Sequence, residues 1–172
     1  MQENYPFSGT GNLYNFVRGL ISIRIQNNIV IIFDNDAEGV YNWERSRKLN
    51  RLEKMRVLKL PDRPSFKEFS TVGPTGEHVA DINGKAAAIE CYLDVGPMPI
   101  VRWTNYDHRR DCYQGHIVGK DELAKEFLAQ KALVRGYDYS GLDAILTMLI
   151  RECVSITEAE AIKVLAAVRV YK

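Results

Sequence analysis

Two aspartates at the end of an apolar run are the residues of this chain best placed to do chemistry. Residues 29–39 read I-V-I-I-F-D-N-D-A-E-G, so the run stops at Asp34 and Asp36 with a single residue between them. Alternate residues of an extended chain point the same way, and the two carboxylates are therefore expected to converge. Hard divalent cations such as Mg²⁺ prefer carboxylate oxygen. The pattern predicts a cation site that serves phosphoryl chemistry.

The elements around this motif predict how it is positioned. A continuous hydrophobic run is typical of a buried strand, and open α/β sheets gather their chemistry beyond the carboxyl ends of such strands. Residues 13–25 carry apolar residues near helical spacing, residues 40–54 predict a charged amphipathic helix, and residues 57–60 predict a short strand. The order helix, strand, helix, strand predicts an α/β fold with a parallel sheet.

The rest of the chain divides into an irregular part and a helical part. Residues 61–84 are rich in proline and glycine and predict a long loop, residues 85–93 predict a short helix, and residues 99–103 predict a strand. Three helices are expected over residues 120–134, 140–153 and 157–171, the last opened by a capping-box pattern from Thr157 to Glu160. We therefore expect an α/β domain over residues 1–119 and a helical extension over residues 120–172 that packs on it.

The composition of the chain indicates its cellular compartment and its size class more clearly than its function. The chain has 172 residues, which suits one core, and its 23 Lys and Arg nearly balance its 22 Asp and Glu, so no global basic charge indicates nucleic acid. Cys91, Cys112 and Cys153 are widely spaced and odd in number, which favours reduced thiols in a cytoplasmic protein. Cys91 and Cys153 are expected to be buried as small apolar side chains. We expect neither a membrane span nor a signal peptide.

The short D-x-D pattern also fits roles other than binding Mg²⁺. A strand-end aspartate can simply cap the next helix. A calcium loop that starts at Asp34 needs a glutamate at its twelfth position, which is Arg45 here, and it should follow a helix rather than a strand. A phosphatase with an aspartyl nucleophile stays open as a third hypothesis, although the hydroxyl residue usual in that class is replaced by Glu38.

Other candidate groups favour structural roles. His108, Cys112 and His116 recur every four residues, which suggests zinc, but a structural zinc site takes four ligands. We expect His78 to be solvated. Five basic residues follow the acidic motif and predict a solvated helix face more strongly than phosphate contacts: Arg45, Arg47, Lys48, Arg51 and Lys54. Arg109 and Arg110 form a second small basic patch.

A longer stretch of sequence carries a family resemblance. The segment S-G-T-G-N, a helix, the strand ending in D-N-D-A-E-G, a second helix and V-L-K-L-P resemble the later part of a Toprim domain, the metal-binding module of topoisomerases, primases and related nucleases. The runs F-S-T-V-G-P-T-G and D-I-N-G-K-A-A-A-I-E-C-Y-L are similar to the Toprim part of bacterial HEPN/Toprim-associated proteins. The resemblance covers roughly residues 5–120.

The resemblance implies a fold, a cofactor and a site. The fold would be a Toprim-like, Rossmann-like, mostly parallel sheet flanked by helices, and Asp34 and Asp36 would bind Mg²⁺ or Mn²⁺. Glu38 would add an outer-sphere carboxylate, and Glu90 and Lys120 match the additional acidic and basic residues of the overcoming-lysogenization-defect nucleases, with catalytic roles. The substrate class would be the backbone of DNA or RNA, and phage defence is the implied setting.

The strand-end glutamate of the Toprim pattern is missing from its expected place before the acidic motif. The pattern includes a glutamate at the end of an earlier strand, which acts as general acid or base, and Glu3 lacks the apolar run that such a strand needs. Catalysis by this chain alone is therefore left open. The alternative is a catalytically inactive interaction or regulatory module, whose exposed sheet edge recruits a missing N-terminal domain or a second copy of the chain.

Overall fold

The computed structural model describes residues 10–94, 100–109, 111–130 and 136–170, which form an α/β fold. The helices are α1 Thr10–Ser22, α2 Ala37–Arg47, α3 Lys120–Gln130 and α4 Ser140–Val170. The strands are β1 Ile29–Phe33, β2 Asn35–Asp36, β3 Met55–Lys59, β4 Phe69–Gly73, β5 Gly76–Ala80, β6 Ala86–Ala87, β7 Val101–Asp107 and β8 Cys112–Ile117. Two 3₁₀ helices span Pro64–Glu68 and Ile89–Tyr92.

The predicted helix, strand, helix, strand unit is confirmed at the N-terminal end of the described chain. Strand β1 pairs in parallel with β3, with Ile29 opposite Met55 and Phe33 opposite Lys59. Val17 of α1 and Phe33 are buried in one cluster with the inward side chains of β3. Helix α2 ends at Arg47 rather than at residue 54 as predicted, because the next residues turn back so that Leu49 and Leu52 pack against the same cluster.

Residues 61–84 are more regular than the predicted loop. They contain the 3₁₀ helix Pro64–Glu68 and a hairpin of β4 and β5 whose turn carries Gly76 at φ +99°. The glycines and the proline therefore form the turn of a hairpin, since glycine adopts a positive φ without steric strain. The loop prediction was wrong because the turn of a short hairpin has the same residue types as a long loop.

A second, mixed sheet has the strand order β5-β4-β7-β8. Strand β4 pairs in parallel with β7, whereas β4 with β5 and β7 with β8 are antiparallel. Strand β7 extends the predicted strand over residues 99–103 to Asp107, and β8 was not predicted. Within the described residues the sheets are therefore mixed rather than mostly parallel.

The helix predicted over residues 85–93 is wrong. Ala86 and Ala87 form β6, which pairs antiparallel with β2, and the 3₁₀ helix Ile89–Tyr92 follows. Both alanines are buried, as are Cys91 and Tyr92, and the Tyr92 ring packs edge-on against Phe66 with centroids 4.9 Å apart. Burial against two neighbouring elements thus outweighs the high helix propensity of the alanine run.

The C-terminal part is helical, as predicted, but with one helix fewer. Residues 140–153 and 157–170 belong to the single helix α4, in which the Thr157 hydroxyl donates to the Cys153 carbonyl at 3.1 Å. Thr157 is therefore a helix-interior residue, and the predicted capping box is wrong. Cys153 is exposed rather than buried. Ile145 is buried with Leu60 and Ile117, so α4 contributes to the core of the α/β part.

Some predictions fall on residues that the structure does not describe. Glu3, Pro99, Arg110 and the ends of the helices predicted over residues 120–134 and 157–171 lie outside the described residues. Of the helices that are described, none combines the length and the apolar character needed to cross a membrane.

Candidate functional site

The acidic motif is held by a buried amide between its two aspartates. Asn35 is fully buried, its Nδ2 donates to Asp62 Oδ1 at 2.9 Å, and its Oδ1 accepts from Lys59 Nζ at 3.0 Å and from the Gly84 backbone N–H at 3.1 Å. Successive residues of an extended chain face opposite sides, so Asp34 and Asp36 share the side of the chain opposite to Asn35. Sequence reasoning missed Asn35, Lys59 and Asp62, and the polar Asn35 between two charged residues was the one available signal.

Asp36 caps helix α2. Its Oδ1 accepts a hydrogen bond of 2.6 Å from the Gly39 backbone N–H, as in an ordinary N-cap. The capping role considered for the motif is therefore fulfilled by one carboxylate oxygen. Burial raises the pKa of Asp36, the Gly39 hydrogen bond opposes this rise, and the charge of Glu38 adds to it.

Only glycine fits at position 39. A Cβ there would lie 2.2 Å from the Asp34 carbonyl oxygen and 3.0 Å from Asp36 Oδ1. The first turn of α2 therefore lies directly against the backbone of Asp34. This brings the positive N-terminal end of α2 to the carboxylates.

Asp34 has the most perturbed carboxyl group of the site. Its pKa is raised to about 6, chiefly by burial and next by the neighbouring charge of Asp36, while Lys120 lowers it and Glu90 adds a smaller rise. Residues from three separate parts of the chain thus act on one carboxyl group. Such a perturbed group at the end of a buried strand is typical of functional sites.

Glu90 and Lys120 form an ion pair in this region. Lys120 Nζ, at the start of α3, lies 3.1 Å from Oε1 of Glu90, which belongs to the 3₁₀ helix Ile89–Tyr92. Glu90 is buried, and within the described part of the chain its Oε2 has no hydrogen-bond partner. A buried carboxylate oxygen without a donor is costly, so this atom is an exception in the packing that calls for an explanation.

Glu38 is the exposed carboxylate of the site. It lies in the first turn of α2, and its charge acts on Asp36 more strongly than that of Lys120. The charges of Asp34, Asp36, Glu90 and Lys120 are coupled as well, since Glu90 and Lys120 act on Asp34.

The carboxylates of the site are the type of ligand that a hard cation prefers, but they are not grouped into a complete coordination site. Among the described residues, no three His, Cys, Asp or Glu side chains are grouped so that they could hold a metal ion. The donors that are present are carboxylate oxygens, including the unsatisfied Oε2 of Glu90, and these suit Mg²⁺ or Mn²⁺. His108, Cys112 and His116 lie on the β7–β8 hairpin and form no such group either.

Most of the predicted basic residues are engaged within the chain. The Arg45 guanidinium lies 3.9 Å from the centroid of the Tyr14 ring, Arg47 stacks on Trp43 at 4.7 Å, and Lys54 pairs with Glu160. In the second patch, Arg109 binds both oxygens of Asp107 at 3.0 Å and holds the pKa of that carboxyl at about 2.

Cys91, next to Glu90 in the sequence, is not a nucleophile. Burial raises the pKa of Cys91 to about 12, so its thiol stays protonated and apolar in character. The prediction that Cys91 is a buried small side chain is confirmed.

Comparison of the chain with protein-family models, with curated proteins and with solved structures finds no match. Function is therefore inferred from the geometry of Asp34, Asp36, Glu90 and Lys120.

Proposed function

We propose that this chain is a divalent-metal-binding, Toprim-like domain of a nuclease-type protein that acts on nucleic acid, with phage defence as its setting. The observation that carries the proposal is the Glu90–Lys120 ion pair. It joins two distant parts of the chain next to the strand-end carboxylates, and Glu90 keeps one buried oxygen unpaired. A structural ion pair alone does not need this unpaired oxygen.

Each residue has a proposed role. Asp34 and Asp36 would hold Mg²⁺ or Mn²⁺, which, when bound, supplies charge stabilisation at a phosphoryl oxygen. Glu90 would act in proton transfer, and Lys120 would neutralise negative charge on a phosphate. Glu38, exposed at the start of α2, would act through water. The general acid or base of the Toprim pattern remains an expectation of the resemblance.

Metal titration by calorimetry, with cleavage assays on single- and double-stranded DNA and RNA, tests this proposal. We expect Mg²⁺ or Mn²⁺ to bind the native chain and Asp34→Asn/Asp36→Asn to lose both binding and cleavage. The matched control is Glu158→Gln, which changes an exposed carboxylate on α4 and should behave as native. Metal binding that persists in the double variant would overturn the assignment of the ligands.

Lys120→Ala separates binding from chemistry. Lys120 lowers the pKa of Asp34 and the pKa of Asp36, so its removal leaves the site more negative. We expect metal affinity to be retained or increased while cleavage is lost. Loss of both would indicate that Lys120 maintains the fold rather than the reaction.

An interaction or regulatory module without catalysis is the second candidate. It is favoured by the exposed apolar side chains along α4: Leu146, Ile150, Val154, Ile162, Val164 and Leu165. The partner proposed for this module is a second copy of the chain, which would bind through these side chains. In the same titration, absence of metal binding and of cleavage, together with a dimeric mass in solution, would favour it over the nuclease.

A further inference from the structure

A groove on the mixed sheet lies outside the acidic site. It has a volume of about 730 Å³ and lies between the β4–β5 and β7–β8 hairpins. This volume is within the range of about 300–1,000 Å³ that is typical of ligand pockets. Four aromatic side chains contribute to its walls: His78, Trp103, Tyr106 and Tyr113.

The aromatic rings are open to solvent. Tyr106 is 39% exposed and Tyr113 is 57% exposed, and their ring centroids lie 5.1 Å apart at an interplanar angle of 73°. The two rings are adjacent and line the same groove, so together they offer a solvent-exposed aromatic surface to a ligand in it. Unpaired bases stack on such side chains whatever their sequence, because every base has a flat π face.

The groove reaches the acidic motif through one residue. Lys85 lines the groove, its carbonyl accepts from the Ala37 backbone N–H at 3.1 Å, and it forms a β-bridge with Asp36. Within the described residues no carboxylate forms a salt bridge with Lys85. A phosphate contact at Lys85 would therefore compete with no internal partner.

The acidic residues of the groove are already engaged. Asp81 Oδ1 accepts from the Asn83 backbone N–H at 3.0 Å and from Asn83 Nδ2 at 2.9 Å, and Asp111 accepts from the Tyr106 hydroxyl. These bonds spread the carboxylate charge over protein donors. The base of a nucleotide suits the rings of Tyr106 and Tyr113, and its phosphate suits Lys85.

We propose that the groove binds unpaired bases of a nucleic-acid strand, whose backbone passes Lys85 on its way to Asp34 and Asp36. Bases within a duplex are stacked on each other and cannot reach the rings, so the strand must be single or locally opened. The path of the backbone rests on the function proposed above, whereas the stacking itself requires the groove alone.

Fluorescence anisotropy in EDTA tests base stacking without any cleavage. The probes are a labelled single strand of about 12 nucleotides, the same length made abasic, and the duplex, each as DNA and as RNA. We expect the native chain to bind the base-bearing strand about tenfold more tightly than the abasic strand and the duplex. Equal binding of abasic and base-bearing strands, or binding of neither, would overturn the proposal.

Substitutions at an exposed ring locate the stacking. Tyr113→Ala should remove most of the preference for bases, and Tyr113→Phe should retain it, because stacking needs the ring and not the hydroxyl. Tyr139→Ala is the matched control, since Tyr139 is 50% exposed and packs against Tyr137 outside the groove. If Tyr113→Ala keeps the native preference for base-bearing strands, any base contact lies elsewhere and the groove is not the binding site.

The two proposals fail in different ways. Base-dependent binding that depends on Tyr113, without metal-dependent cleavage, would leave the groove standing and overturn the nuclease. Cleavage that depends on Asp34 and Asp36, with no preference for base-bearing strands, would support the nuclease and overturn the proposal for the groove.

Discussion

At the scale of residues, the acidic motif works against the stability of the metal-free fold. A carboxyl group whose pKa is raised in the folded state stabilises the protein when protonated and loses this contribution as the pH rises through the folded-state value. Asp34, whose pKa is raised from the usual 3.8 to about 6, is such a group. Its contribution is complete below about pH 4 and lost above about pH 6.

Asp34→Asn should therefore change how stability depends on pH. We expect the variant to gain about 3 kcal/mol relative to the native chain between about pH 4 and pH 7.5, because the amide cannot ionise. The measurement is urea unfolding at several pH values without metal. The difference between the two chains is the relevant quantity, since carboxyls with lowered pKa, such as Asp107, act in the opposite direction. A constant difference across the pH range would contradict the assigned pKa of Asp34.

A bound cation should reverse this pattern. The ion replaces the proton on Asp34, so Mg²⁺ should stabilise the native chain at about pH 7.5 and have little effect near pH 4, where the carboxyl is protonated. Thermal unfolding with and without Mg²⁺ at the two pH values measures this. Equal stabilisation at both pH values would indicate that the ion binds elsewhere.

At the scale of elements, helix α4 and the 3₁₀ helix that carries Glu90 are in backbone contact. A Cβ at Gly141 would lie 2.1 Å from the Tyr92 carbonyl oxygen and 2.8 Å from its carbonyl carbon. Tyr92 is only two residues from Glu90 in the same 3₁₀ helix, and its hydroxyl donates to the Pro61 carbonyl at 2.6 Å. The start of α4 thus determines where this short helix sits, and with it the position of Glu90.

Gly141→Ala should cost about 1–3 kcal/mol, because backbone atoms of Tyr92 must move to make room. Gly19→Ala in α1 is the matched control: a Cβ there meets nothing within 4 Å, and alanine favours a helix by about 1 kcal/mol over glycine. Urea unfolding of both variants measures the contrast. Equal tolerance of alanine at both glycines would contradict the close packing of α4 on Tyr92.

At the scale of the whole molecule, buried side chains contribute more than exposed ion pairs to holding α4 on the α/β part. Ile156 is 2% exposed, whereas the ion pairs of Glu160 with Lys54 and of Lys163 with Glu53 join partly exposed side chains. Exposed ion pairs contribute little, since water and salt screen them. Loss of a buried isoleucine leaves a cavity and removes its transfer free energy.

We expect Ile156→Ala to lower the free energy of unfolding by about 2–4 kcal/mol. Ile162→Ala, on the same helix at 66% exposure, should change it by less than about 0.5 kcal/mol. Chemical denaturation at low and high salt measures both and separates burial from charge. A large effect of Ile162→Ala would show that its apolar face is covered in solution, as the second candidate function requires.

Local sequence determined the part of the site formed by Asp34 and Asp36. The apolar run ending at Asp34 and Asp36 predicts a strand with carboxylates at its end, because strand pairing and alternation follow from local side-chain pattern. The pairing of β1 with β3 and the two flanking helices could be predicted in the same way. The errors at residues 61–84 and 85–93 arose where turns and buried alanines suit more than one element, and packing decided between them.

The tertiary structure alone decided which distant residues act on the motif. Sequence spacing cannot measure the 3.1 Å between Glu90 and Lys120, or the anchoring of Asn35 by Lys59 and Asp62, because these contacts join segments that only chain reversal brings together. The raised pKa of Asp34 likewise depends on burial by several elements. The sequence by itself therefore determined the chemical groups and their strand, and the packing of the chain determined their electrostatic environment.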